Sequence, residues 1–272
     1  MTLFRRILPL LLALVIGIGA GAFGLYQYQK NLSVSGLAAG GGTGTFDHSP
    51  FQVFLDAYLV TENEDGVNRL DYRRALAGQG VLATYLEDLQ AVDPASLGED
   101  EALAYWLNFY NAGMIQLILA RGEFDSVFTD RIYHFLTPHF QVAGQPLSLD
   151  NIENAVIRVQ WDEPRIHYGL NCASFSCPNL QPQVFSGGTL ETQLEAAARA
   201  YINHPRGVAG VEGRRVVVSE IFDWFKEDFG GTDQSVIDHI KLYAEPDLAA
   251  ELEAARRLRV QSYDWALNIA ER

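Results

Sequence analysis

The sequence of 272 residues contains 34 acidic and 20 basic residues, which gives a formal net charge of −14 at pH 7. A surface of this charge repels nucleic acid, so nucleic-acid binding is excluded as a function. Hydrophobic residues make up 48% of the chain, which is enough for a sizeable buried core.

The first thirty residues have the pattern of a targeting segment. Arg5 and Arg6 precede an uncharged apolar run over residues 7–26, which is about long enough to span a bilayer. Ala20-Gly21-Ala22 resembles a cleavage site, so residues 1–30 form either a signal peptide or an N-terminal membrane anchor. In both cases the arginines stay in the cytoplasm. We therefore predict a periplasmic or extracytoplasmic protein, tethered to the inner membrane by residues 7–26.

The remainder divides into a linker and one domain. Residues 31–45 are rich in glycine, serine, alanine and threonine, the composition of a flexible linker. Residues 46–272 are predicted to form a single globular domain of the size that one core supports.

The hydrophobic periodicity of this domain predicts a mainly helical α+β fold with a small sheet or hairpins. The most hydrophobic helix is expected over residues 99–121 and is predicted to be the central core helix. Further helices are expected from Ser49, over 72–89, after an N-cap at Ser148, and over 190–203, 221–229 and 235–243, with hairpins over 142–147 and 208–219. The tail that contains Tyr263-Asp264-Trp265 is expected to pack back onto the domain.

The segment 165–178 holds both cysteines and a histidine. Apolar residues alternate with polar ones over 166–171, which predicts a short strand with His167 and Asn171 on one face and the cysteines in the following turn. Pro178 favours the first position of a helix, so Cys177 is predicted to cap a helix whose N-terminus lowers the thiol pKa.

Three kinds of site fit these residues. The first is a structural Cys172–Cys177 disulfide, which suits an exported domain. The second is a cysteine nucleophile, with Cys177 attacking, His167 as base, and Glu153 or Asn171 orienting the imidazole or, for Asn171, stabilising an oxyanion. The third is a metal site with His167, Cys172 and Cys177 as ligands. No cofactor is expected.

Two amides on the central helix belong to the candidate site as well. Asn108 and Asn111 lie in an otherwise apolar stretch, where buried amides need hydrogen-bond partners. They either tie down neighbouring loops or hold a substrate or oxyanion.

Several segments resemble the bacterial branch of the domain of unknown function 547 family. The resemblance rests on residues 104–112, 147–154, 162–174 and 176–180, and on the tail 263–268, and it covers nearly all of 46–272. It implies that Asn108, Asn111, Glu153, His167, Cys172 and Cys177 form one shared site.

The chain departs from that family pattern at one position. Many members have a histidine where this chain has Asn154, and an amide cannot exchange a proton at neutral pH.

The enzymatic hypothesis for this chain is a cysteine-dependent hydrolase or acyl-transferase acting on an unknown small molecule or peptide. The alternative is a non-catalytic envelope binding module with a structural disulfide.

Overall fold

The computed structural model describes Leu37, residues 40–122 and residues 125–270. The predicted targeting segment over residues 1–30 lies outside the described residues. Within the described ranges, no helix is both long and apolar enough to cross a membrane.

The fold is α+β and mainly helical, as predicted. Its α-helices are α1 Ser49–Tyr58, α2 Tyr72–Ala75, α3 Gln79–Ala91, α4 Glu99–Arg121, α5 Leu149–Asn151, α6 Arg158–Gln160, α7 Ile166–Gly169, α8 Leu190–Ile202, α9 Ile221–Trp224, α10 Asp233–Tyr243 and α11 Pro246–Leu252. Shorter 3₁₀ turns cover Leu76–Gly78, Pro94–Ser96, Phe128–Asp130 and Lys226–Phe229, and π-helical turns cover Ile132–Leu136 and Ile152–Ile157.

The strands form small separate sheets. They are β1 Leu59–Val60, β2 Arg69–Leu70, β3 Phe140–Val142, β4 Gln145–Leu147, β5 Val208–Glu212, β6 Arg215–Val218 and β7 Arg257–Val260. The pairs β1–β2 and β3–β4 are antiparallel hairpins. In the third sheet, β6 pairs antiparallel with β5 and parallel with β7. The sequence did not predict helix α11 or strand β7.

Helix α4 is the central core helix, as its composition predicts. Its residues are buried on all sides from Glu101 to Ile115, and Trp106 stacks on Phe109 with ring centroids 5.9 Å apart. Gly113 lets the helix approach β3, since a Cβ there would lie 2.9 Å from the Phe140 ring. Asn108 and Asn111 therefore lie on a helix that is packed on all sides, and both are buried.

The described part of the predicted linker is anchored to the domain. The amides of Gly41 and Gly42 both donate to the carbonyl of Leu97 at 3.0 Å. A Cβ on Gly42 would lie 2.0 Å from the Ser96 carbonyl oxygen, so glycine here permits a close backbone approach. Residues 41–44 are therefore part of the folded unit.

The predicted strand over 166–171 is wrong, because Ile166–Gly169 is helix α7. The amide of Tyr168 donates to the carbonyl of Arg165 at 3.0 Å, and that of Leu170 to Ile166 at 3.1 Å. All residues from Ile166 to Asn171 are buried. The alternation of apolar and polar residues therefore does not mark the two faces of a strand. A short segment that is buried throughout is compatible with the residue period of a helix as well as that of a strand.

The helix predicted to follow Cys177 is also absent. Residues 178–181 are irregular, and their backbone is held by distant side chains. The Pro178 carbonyl accepts from the amide of Asn171 at 2.7 Å, and the Leu180 carbonyl accepts from that of Asn68 at 2.8 Å. These bonds satisfy the chain without a helix, so the thiol gains no helix N-terminus.

The helix predicted over 72–89 is interrupted. The break falls at the 3₁₀ turn Leu76–Gly78 between α2 and α3. Gly78 packs against Tyr58, and a Cβ at this position would lie 2.5 Å from that ring. Contact with α1 therefore decides the local geometry against the periodic pattern.

Candidate functional site

A pocket of about 200 Å³ opens beside both cysteines. The structure brings Glu153, His167, Cys172 and Cys177 to one pocket, which all four residues line. Its walls are largely aromatic and are formed by Tyr110, Phe135, Trp224, Phe225, Tyr263 and Trp265.

Cys172 is partly exposed and faces several hydrogen-bond donors. Its Sγ lies 3.0 Å from the Ser174 Oγ and 3.2 Å from the Tyr263 hydroxyl. Burial alone would raise the pKa of the Cys172 thiol, but hydrogen bonds with Cys177, Ser174 and Tyr263 outweigh burial and lower it to about 6. Cys172 is therefore largely a thiolate at neutral pH.

Cys177 is more deeply buried than Cys172, and its thiol is protonated. Its Sγ accepts the backbone N–H of Cys172 at 2.9 Å and lies 3.6 Å from the Leu170 carbonyl, to which the thiol donates. Burial, together with the neighbouring Cys172, raises the pKa of the Cys177 thiol well above its usual range. Both cysteines are free thiols in the structure, and the disulfide stays a prediction.

The loop that carries the cysteines is held from two sides. Arg206 donates to the carbonyls of Phe175 at 2.8 Å and Cys177 at 2.6 Å. Ala173 has a positive φ of 62°, a conformation that costs a non-glycine residue about 1 kcal/mol. Its backbone is fixed by Asn171 Oδ1 at 3.0 Å and by the amide of Asn268 at 2.9 Å. This strained turn separates Cys172 from Ser174, whose side chains meet.

His167 is buried between two carboxyl groups. Its Nε2 lies 2.7 Å from Oδ2 of Asp228, and its Nδ1 lies 4.0 Å from Oε1 of Glu153. Burial lowers the pKa of His167 despite the hydrogen bond to Asp228, so the imidazole is neutral at pH 7. Since Asp228 is the nearer and the ionised group, we assign the proton to Nε2 and leave Nδ1 as an acceptor.

Asp228 is kept ionised by its partners. Arg158 contacts it through Nε at 2.5 Å and Nη2 at 2.7 Å. Burial alone would raise the pKa of Asp228, but the hydrogen bonds from His167 and Arg158 hold it well below its usual range. The Phe225 ring stacks on the imidazole with centroids 4.1 Å apart, which fixes the plane of His167.

Glu153 is a neutral acid at pH 7. Burial, with the charge of Asp150 added, raises its pKa to about 8. The charge of Cys172 raises the same pKa, and the Tyr110 hydroxyl hydrogen-bonds to Glu153. The pocket thus contains a thiolate and a protonated carboxyl group that interact electrostatically.

The three predicted asparagines lie outside the pocket lining and hold backbone instead. Asn108 bonds both backbone groups of Phe185, at 2.8 and 3.0 Å. Asn111 donates to the carbonyl of Gly169 at 2.9 Å and accepts from the amide of Asn171 at 2.8 Å. Asn111 therefore positions the segment that carries His167 and Cys172, and Asn108 positions the backbone at Phe185.

Asn154 lines the pocket, donates to Asp150 at 3.0 Å and accepts from Arg158 at 2.6 Å, so it bridges two charged groups. In the described ranges, no group of three or more His, Cys, Asp or Glu side chains is arranged to hold a metal ion. His167, Cys172 and Cys177 do not form such a group.

Sequence reasoning missed several residues of the site. Asp228 lies 61 positions from His167, and Tyr263 lies 91 positions from Cys172. Asp228 carries no local signal, since it is one of many acidic residues in the chain. Ser174 and Tyr263 fall within segments that carried the family resemblance, which was the available clue.

The comparisons with known proteins match part of the chain. The model of the family described as protein of unknown function, DUF547, matches residues 94–202. A stretch of 113 residues is 27% identical to an S-adenosylmethionine synthase of Fusobacterium nucleatum subsp. nucleatum, covering 39% of this chain and 30% of that protein. The chain thus spans less than a third of that relative's length. No solved structure matches the chain.

Proposed function

We propose an activity from the pocket itself, because the family model that matches residues 94–202 describes proteins of unknown function. The proposed activity is that of a thiol-dependent hydrolase or acyl-transferase acting on an amide or thioester bond. The sequence pattern favoured Cys177 as nucleophile. We assign that role to Cys172 and make Cys177 its hydrogen-bonding partner.

One observation carries the proposal: Cys172 is the more accessible of the two thiols, and two hydroxyl groups lie beside its sulfur. Ser174 and Tyr263 place hydroxyl groups within 3.2 Å of its sulfur, while Cys177 is buried and protonated. A thiolate is the reactive form of cysteine, so the two thiols have different capacities for attack.

Acylation follows from these protonation states. The Cys172 thiolate attacks the carbonyl carbon and forms a C–S bond, and the carbonyl π electrons move to oxygen. The Tyr263 hydroxyl, released from the sulfur as its charge is lost, donates to that oxyanion. When the tetrahedral intermediate collapses, neutral Glu153 protonates the leaving amine or thiol. The products are a Cys172 thioester and an ionised Glu153.

Deacylation uses the same groups in reverse. The Glu153 carboxylate takes a proton from water, or from an acceptor amine or alcohol, as that molecule attacks the thioester. The Cys172 thiolate leaves and Glu153 is again protonated. His167 places its acceptor Nδ1 4.0 Å from Oε1 of Glu153, while Asp228 holds the imidazole in one tautomer.

The substrate is an unknown small molecule or peptide whose acyl part enters the aromatic pocket. Rings such as Trp224 and Trp265, stacked with centroids 5.6 Å apart, favour a flat or apolar group. We also propose that the domain works outside the cytoplasm, on the basis of Arg5, Arg6 and the apolar run 7–26.

Acylation by a simple thioester tests the proposal. The full-length protein in neutral detergent is mixed with phenyl thioacetate, quenched in acid, and mapped by peptide mass spectrometry. Acetylation is expected at Cys172, with Cys177→Ser as the matched control that retains it. Glu153→Gln should accumulate the acetylated form, because deacylation loses its base. Acetylation at Cys177, or at neither cysteine of fully reduced protein, contradicts the proposal.

A further inference from the structure

A second cavity, separate from the thiol pocket, is lined mainly by arginines. It has a volume of about 560 Å³ and is lined by Arg214, Arg215, Arg256, Arg257 and a single carboxylate, Glu212. All five residues are exposed. This concentration of positive charge is unexpected in a chain of net charge −14.

The sheet brings the arginines together by its register. Arg215 on β6 and Arg257 on β7 are direct neighbours across the parallel pair. The carbonyl of Arg214 accepts the amides of Arg256 at 2.9 Å and Arg257 at 3.2 Å, which locks the two segments to each other. Like charges side by side on a sheet destabilise it, so this arrangement runs against stability.

The arginines of this cavity are not neutralised by carboxylates. Among the described residues, no ion pair joins Arg214, Arg215, Arg256 or Arg257 to an acid. The charge of Arg257 helps to lower the pKa of Asp233, but Asp233 is itself paired with Lys226 at 2.7 Å. Glu212 lies 3.1 Å from Arg259.

Three arginines elsewhere in the domain form short ion pairs. Arg69 pairs with Asp65 at 2.5 Å, Arg158 with Asp228 at 2.5 Å, and Arg165 with Glu163 at 2.5 Å. The cavity therefore keeps its guanidinium groups available, and Arg256 is also held in place by the carbonyl of Glu253 at 2.8 Å.

We propose that this arginine-lined cavity on the three-stranded sheet binds an anion that carries two or more phosphate groups. Guanidinium groups bind phosphate oxygens in pairs through a planar set of donors. Several such groups, fixed by one sheet and not joined to a carboxylate by an ion pair in the described part of the chain, match several phosphates rather than one. This site is independent of the thiol pocket and of the proposed function.

Titration calorimetry with sodium tripolyphosphate tests the site in the full-length protein in neutral detergent. Arg215→Ala and Arg257→Ala should each weaken binding about tenfold, as expected for loss of one charge-assisted contact. Arg74→Ala, which removes an exposed arginine that pairs with Asp71, is the matched control and should leave binding unchanged. Folding of each variant is checked by circular dichroism.

Removing the single carboxylate provides a test of opposite sign. Glu212→Gln should tighten tripolyphosphate binding, while Glu64→Gln, an exposed acid elsewhere, should not. Equal effects from the two glutamine variants would show a response to net charge alone and overturn the proposal.

A second arm distinguishes a free anion from a lipid headgroup. Phenylglyoxal labelling of the arginines is compared in neutral micelles with tripolyphosphate, with sodium chloride of equal ionic strength, and with micelles containing cardiolipin, an anionic lipid with two phosphate groups. Protection of Arg215 and Arg257 by tripolyphosphate alone identifies a soluble ligand, and protection by the anionic lipid identifies a membrane headgroup. Labelling no lower than in sodium chloride under both conditions overturns the proposal.

Discussion

The imidazole Nε2 of His167 lies 2.7 Å from Oδ2 of Asp228. Arg158 holds the same carboxylate, so the ionised Asp228 contacts both the neutral imidazole of His167 and a partly buried guanidinium group. Because the three residues act together, a change at Asp228 should affect stability as well as the orientation of His167.

Asp228→Asn should destabilise the protein at pH 7 by about 1–3 kcal/mol, since Arg158 loses its charged partner. The pKa of Asp228 is depressed in the folded protein, so its contribution is present above the unfolded value, near 4, and is lost as the pH falls. Urea unfolding at about pH 7 and about pH 3 should show the difference between wild type and variant narrowing in acid. A difference that stays constant or grows in acid would contradict this account.

Glu153 should make stability depend on pH in the opposite direction. Its folded pKa of about 8 is raised, so its contribution is complete below the unfolded value near 4.3 and is lost as the pH rises through 8. The free energy of unfolding of the wild type should therefore fall relative to Glu153→Gln between about pH 5 and pH 8. Parallel curves for the two proteins in urea would show that Glu153 titrates normally.

The two thiols should differ in reactivity. In reduced protein, Cys172 should react with iodoacetamide with an apparent pKa of about 6, and Cys177→Ala should raise that pKa because one hydrogen-bond donor is lost. Cys172→Ser should leave slow labelling, since Cys177 is buried and protonated. Peptide mapping gives the rate for each cysteine, and faster labelling of Cys177 in wild type would reverse the assignment.

The same labelling experiment tests the disulfide. Freshly isolated protein that takes up no iodoacetamide until reductant is added would favour the binding module with a Cys172–Cys177 bridge. Such a bridge encloses a short loop and would stabilise the fold by at most about 3 kcal/mol.

Asn111→Ala should reduce stability strongly although the residue lies outside the pocket. It would leave the carbonyl of Gly169 and the amide of Asn171 without partners, and each buried unpaired group costs about 1–3 kcal/mol. Chemical unfolding measures the loss, and Gln234→Ala, at an exposed residue bonded to Asp238, serves as the control. Similar stability of both variants would show that Asn111 is not structural.

Export can be tested with a topology reporter. Alkaline phosphatase fused after Leu37 should be active in a bacterial host, because Arg5 and Arg6 precede the only long apolar run of the sequence. Deletion of residues 7–26 should abolish that activity. An active β-galactosidase fusion at the same position, together with an inactive phosphatase, would place the domain in the cytoplasm.

The sequence alone determined the features that depend on local pattern. The length and apolar surface of the central helix at Glu99–Arg121, the hairpin ending at Leu147 and the N-cap at Ser148 all follow from neighbouring residues. The clustering of Glu153, His167, Cys172 and Cys177 was also predicted, through the segments that resemble the family. Periodicity and capping act over a few residues, so one chain is enough to predict them.

The chemistry of the site depends on contacts between residues that are distant in the sequence. Residues 166–169 form a helix that is buried on all sides, and the alternation of apolar and polar residues in the sequence does not reveal such burial. The choice between Cys172 and Cys177 depended on the Tyr263 hydroxyl, and the state of His167 depended on Asp228. A thiol or imidazole takes its pKa from the groups that surround it in space, and here those groups come from distant parts of the chain.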